Sequence, residues 1–89
     1  MFHKTKDVCI IFGNAMKKAR TDSGMTIEEV SLESGISRNT ISKWEHGRSQ
    51  PDLSQLIAFF EAIHLSAMDY MPDAVSRARA ALEQEELNG

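Results

Sequence analysis

Apolar residues recur at three- and four-residue steps early in the chain, at Val8, Ile11, Phe12, Ala15, Met16 and Ala19. That spacing is one face of an α-helix and predicts a helix of about four turns. Asn14, Lys17, Lys18 and Thr21 fall on its other side. The β-branched start at Val8, Ile10 and Ile11 would also suit a strand, but the chain has no second strand-like stretch to pair with it. The preceding MFHKTKD is polar, basic and without periodicity, and reads as a flexible arm over residues 1–7.

Helix stops and starts then follow closely. Gly24 ends the first helix, and Thr26-Ile27-Glu28-Glu29 has the residue types of a capping box, which starts a second helix at Ile27. Val30 is its main inward residue, with Ile27, Ser31 and Leu32 on or near the same side. Gly35 can take the left-handed conformation that closes a helix, Ile36 is an apolar plug, and Ser37 can cap a third helix to about His46. Gly47 and Pro51 end that helix.

Asp52-Leu53-Ser54-Gln55 caps a fourth helix with Leu53, Leu56, Ile57, Phe60 and Ile63 expected inward. Ser66-Ala67-Met68-Asp69 opens a short fifth helix that runs through Met71 until Pro72 interrupts. Asp73 can then cap a sixth helix to about Leu87, rich in strong helix formers. Met71, Val75, Ala78 and Leu82 give that segment a narrow apolar seam. The expected organisation is an arm at 1–7, a helical domain at 8–71 and a C-terminal helix at 72–89.

The third helix carries the pattern with chemical content. Ile41 and Trp44 face inward, whereas Asn39, Ser42, Lys43 and His46 share the opposite stripe and Arg38 projects from the first turn. A helix in a DNA major groove presents its N-terminal side chains to base edges, where Arg pairs with guanine and Asn with adenine. Arg38 and Asn39 are therefore the expected base readers. Ser42 and Lys43 can meet a base edge or a phosphate, and the Thr40 hydroxyl can meet the DNA backbone.

Composition narrows the alternatives. Eighty-nine residues, 42% hydrophobic and 26% charged, suit one helical core and leave little room for an enclosed catalytic cleft. The apolar run Val8–Phe12 is far too short to span a membrane, so a cytoplasmic location is expected. Cys9 has no partner for a disulfide, and His3, His46 and His64 lack metal-site spacing. Neither a cofactor nor catalysis is indicated.

The net charge of −3 is unevenly distributed. Residues 1–51 hold eight Lys/Arg against six acids, a balance of +2, and residues 52–89 hold two against seven, a balance of −5. Phosphates respond to charge within about a Debye length, roughly 8 Å, so the acidic C-terminal part does not exclude DNA.

From Phe12 to Met71 the chain closely resembles the helix-turn-helix domains of the lambda-repressor and Cro type, the XRE family. The matches are Phe12-Gly13, Arg20, Ser23-Gly24-Met25-Thr26, Glu29-Val30, Ser34-Gly35-Ile36-Ser37-Arg38, Thr40-Ile41-Ser42, Trp44-Glu45, Gly47, Pro51 and the apolar pattern from Leu56 to Leu65. The resemblance implies an all-α fold, a five-helix domain to which this chain adds a C-terminal helix, with the third helix entering the major groove. It further implies a buried Arg20–Glu45 ion pair and places Arg48, Ser49 and Gln50 in a loop that approaches the DNA. Ile27 departs from the pattern, because the family often has there a Gln that holds a phosphate.

The expected function is a sequence-specific regulator of transcription, a repressor, bound to double-stranded DNA as a homodimer on an inverted repeat. Lys18 and Arg48 are expected on phosphates, and His46 and Ser49 are also expected to contact the DNA. The competing expectation is an antitoxin-like or adaptor module that binds a protein partner through residues 72–89.

Overall fold

The computed structural model describes residues 3–88, with side chains from Lys6 to Gln84. Five α-helices follow one another: α1 His3–Asp22, α2 Ile27–Ser34, α3 Arg38–Glu45, α4 Leu53–Ile63 and α5 Met71–Asn88. A single 3-10 turn, Ala67–Asp69, links the last two. No strand occurs among the described residues.

Local hydrogen bonds set most of these boundaries. The Thr26 hydroxyl accepts the Glu29 amide while the Glu29 carboxylate accepts the Thr26 amide, completing the expected box. The Thr26 N–H, and then the Thr26 hydroxyl, hold the Glu29 carboxyl below its ordinary pKa. This contribution is therefore complete above the ordinary value of 4.5 and is lost as the pH falls through the lowered one. Asp52 and Gln55 make the same reciprocal pair at α4. Thr26→Ala should lower stability by about 1 kcal/mol, read as a drop in the urea midpoint with unchanged slope.

The core joins α1 to α4 through Met16, Ala19, Val30, Ile41, Trp44, Phe59, Phe60, Ala62 and Ile63. Phe59 is fully buried and meets Trp44 and Phe60 edge-on, at centroid distances of 6.5 and 5.4 Å. The inward arc of α4 thus differs from expectation, since Leu53 and Ile57 are exposed and Phe59 and Ala62 are buried. Two overlapping stripes share Phe60 and Ile63, and the aromatic contact with Trp44 selects the one containing Phe59. Leu32, expected on the inner side of α2, is also exposed.

Two boundaries move. Helix α1 begins at His3, well before Val8, so residues 3–7 are helical rather than an arm. No Gly or Pro lies between His3 and Val8, and extending an existing helix costs far less than nucleating one. The arm's Met1 and Phe2 lie outside the described residues. Pro72 does not interrupt: it sits in the first turn of α5, where a missing N–H removes no intrahelical bond. The expected fifth helix shrinks to the 3-10 turn, whose Ser66 hydroxyl accepts the Met68 amide. Asp73 lies within the first turn of α5 instead of capping it.

Helix α5 starts beside the end of α1, where the Tyr70 hydroxyl donates to Asp22 at 2.8 Å, and it runs back along α1. Among the described side chains its buried residues are Ala74 and Ala78, while Val75 and Leu82 of the expected seam are exposed. Small side chains let the two helix backbones approach, so the contact face centres on alanines instead of the bulkier positions. The molecule measures 43 × 24 × 20 Å.

Candidate nucleic-acid interface

Helices α2 and α3 are joined by Gly35, Ile36 and Ser37. Gly35 sits at φ 77°, ψ 6°, a left-handed conformation that costs residues with a Cβ more than glycine. The Ser34 hydroxyl accepts the Ile36 amide, and the Ser37 hydroxyl accepts the Thr40 amide to start α3. Ile36 packs against the core and fixes the angle between the two helices.

From beneath, α3 is held by Ile41, Trp44 and Glu45, all at most 5% exposed. Glu45 is the buried charged residue of the core, and Arg20 answers it. The guanidinium donates from Nε to Oε2 at 2.7 Å and from Nη2 to Oε1 at 2.9 Å. Its Nη1 donates to the Met25 carbonyl at 2.9 Å. These bonds to Glu45, and its charge, tighten the hold of Arg20 on its proton against the opposing effect of burial. The pair implied by the resemblance is present, and it ties α1, the α1–α2 turn and α3 together.

Above this support, Arg38, Asn39 and Lys43 are exposed and Ser42 is half-buried. Arg38, Asn39 and Ser42 share an open cleft with Thr21, Thr26, Ile27 and Glu28. Arg38 faces Glu28 across it, Nη1 to Oε1, at 3.8 Å. Thr40 is engaged locally, its hydroxyl 2.8 Å from that of Ser37. His46 curls back so that Nδ1 lies 2.7 Å from the Ser42 carbonyl, which leaves Nε2 turned away from this bond. Arg48 is exposed beyond the helix end and its amide donates to the Lys43 carbonyl, with Ser49 half-buried beside it.

Lys18 belongs elsewhere. Its ammonium is 3.0 Å from Asp22 and 5.9 Å from the Tyr70 ring, in a cleft shared with Asp73 and Arg77 at the α1–α5 contact. The Tyr70 hydroxyl first and Lys18 second hold the Asp22 carboxyl below its usual range. Lys17 is exposed one turn after Gly13, which abuts the carbonyls of Trp44 and Glu45, and one turn before Thr21 on the α3 cleft. The neglected lysine is therefore on the α3 side. The spacing of four from Gly13 to Lys17 to Thr21 is the signal that could have identified it.

A helix-turn-helix family model matches residues 16–69, from the second half of α1 to the 3-10 turn. The chain belongs to the XRE-type helix-turn-helix family. These are DNA-binding regulators of transcription. A search of curated proteins gives no match. Among solved structures, the chain is similar to the clp gene regulator ClgR from Corynebacterium glutamicum, at 26% identity and TM-score 0.71 over 78% of this chain and 88% of that one.

Two restriction-modification controller proteins share the fold. C.AhdI from Aeromonas hydrophila is 22% identical with TM-score 0.62 over 65% of this chain and 88% of its own. C.Esp1396I, solved as a tetramer with its natural 35 base-pair operator, is 20% identical with TM-score 0.69 over 80% and 93%. The helix-turn-helix family match ends before α5, which lies wholly outside it. Among the described residues, no group of three or more His, Cys, Asp or Glu is placed to hold a metal, and no helix is long and apolar enough to cross a membrane.

Proposed function

We propose that this helix-turn-helix protein is a sequence-specific transcriptional repressor that inserts the N-terminal half of α3 into the major groove. The observation that carries the proposal is the division of α3 into a locked inner face, Ile41, Trp44 and Glu45, and an outer face bearing Arg38, Asn39, Ser42 and Lys43. An element built to dock in a groove needs both. Lys17 and Arg48, exposed at either side of α3, are the proposed phosphate contacts. His46, Ser49 and Thr40 have secondary parts, because the hydrogen bonds of His46 and Thr40 already turn back to α3 and its cap.

One α3 reads few base pairs, and two copies on an inverted repeat place their reading helices about one DNA turn apart. The exposed Val75 and Leu82, seven residues apart on the outer face of α5, are available to a second copy. A cytoplasmic location accords with work on DNA. Selection of bound duplexes from a random pool tests the proposal. An enriched inverted repeat supports it, and no enrichment at low salt overturns it.

On the enriched duplex, Arg38→Ala should cost about 1–3 kcal/mol of binding and relax base preference at one position per half-site. Binding to single-base operator variants reads both effects. An equal loss on every duplex would remove Arg38 from base reading.

A further inference from the structure

The reading of Arg38 raises the question of what aims it. Its long side chain is two-thirds exposed and starts at the first residue of α3, at the positive end of that helix's dipole. Nothing in its own helix draws the guanidinium into one direction. Resting on the base-reading role proposed above, we propose that Glu28 is the positioning residue for Arg38 and so a determinant of base specificity.

Glu28 lies in the first turn of α2, where a carboxylate is favoured by the helix end, and its Oε1 is 3.8 Å from Nη1 of Arg38. With both side chains exposed at 67% and 69%, the pair adds little to folding stability. Its effect is on direction. Contact through Nη1 leaves Nε and Nη2 free to form the two-pronged bond to guanine O6 and N7. A guanidinium already aimed loses less rotamer freedom on binding.

The other charged group at the cleft, Arg20, is committed to Glu45 and the Met25 carbonyl, and Glu29, next to Glu28, is held by its cap. Ile27, beside Glu28, has no hydrogen-bonding side chain with which to brace Arg38. Glu28 is therefore the group on α2 that couples the supporting helix to the reading helix at the DNA-facing surface.

The test compares the wild type with E28Q, E28D, R38A and the double variant R38A/E28Q. Each is titrated with the duplex enriched from a random pool, with its single-base variants and with an unrelated duplex. E28Q should lower the preference for the favoured base at the Arg38 position at least about threefold. It should also tighten binding to the unrelated duplex, because a negative charge leaves the surface. E28D draws the carboxylate back by one methylene and keeps its charge, so it should lose the preference without that gain. In the R38A background, E28Q should move no base preference. Retention of the wild-type preference by both E28Q and E28D, with R38A losing it, would overturn the positioning role and leave Arg38 reading unaided. Unchanged preferences in R38A itself would overturn the base-reading role, and the role of Glu28 with it.

Discussion

Replacing Glu45 by alanine should destabilise the protein by about 3–5 kcal/mol, a large part of the roughly 5–15 kcal/mol that holds a domain together. Glu45 is almost completely buried, with its side chain 2% exposed, and that of Arg20 is 11% exposed. Alanine would leave a largely buried guanidinium with one remaining partner, the Met25 carbonyl. Urea unfolding followed by circular dichroism measures the loss. A companion variant, R20M/E45L, should recover most of it, since a buried ion pair replaced by apolar residues of similar size is often close to neutral. The unrecovered part, about 1 kcal/mol, is the hydrogen bond to the Met25 carbonyl. A loss below 1 kcal/mol for E45A would mean that the pair is well solvated and that α3 is held by its apolar residues alone.

Gly13→Ala should also destabilise, by about 1–3 kcal/mol, although alanine in place of a helical glycine ordinarily stabilises by roughly 0.5–1 kcal/mol. The reversed sign comes from the crossing of α1 and α3. A Cβ at position 13 would collide with the Trp44 carbonyl oxygen and lie 3.2 Å from the Glu45 carbonyl oxygen. Both are backbone atoms and cannot swing aside. Helix α3 would have to move outward, so DNA affinity should fall together with the unfolding midpoint. A stabilised G13A variant would show that the helices do not approach so closely.

The boundaries of α2 and the start of α3 were legible because they depend on residues a few positions apart. A capping box joins Thr26 to Glu29, and the turn needs glycine at one defined place. The inward placement of Ile41 and Trp44 follows from helical periodicity within one element. Contacts between elements were much less legible. Lys17 and Lys18 are about 100° apart on the same helix, and the crossing of α1 with α3 and α5 decides which of them lies at the α5 contact. Ala74 and Ala78 make the α5 contact because they are small, whereas an apolar pattern gives most weight to Val75 and Leu82.

The Arg20–Glu45 pair illustrates the same boundary. Its residues are 25 positions apart, and neither has a local feature that names the other. Family resemblance supplied the pairing, and the buried geometry supplies its physical reason. At Gly13 the sequence shows an unfavourable residue inside a helix, but the backbone that requires it belongs to α3.

The packing of α5 along α1 also bears on the order in which the protein can fold. Tyr70 and Asp22 are 48 residues apart, so their contact closes a long loop, and loop closure becomes costlier with length, by about 0.6 kcal/mol per doubling. The α2–α3 turn and the caps need no such closure. During synthesis, α1 leaves the ribosome before the helix that covers it, so the face of α1 bearing Ile11 and Ala15 stays without its cover until α5 has emerged. A chain cut before residue 73 would be held permanently at that stage.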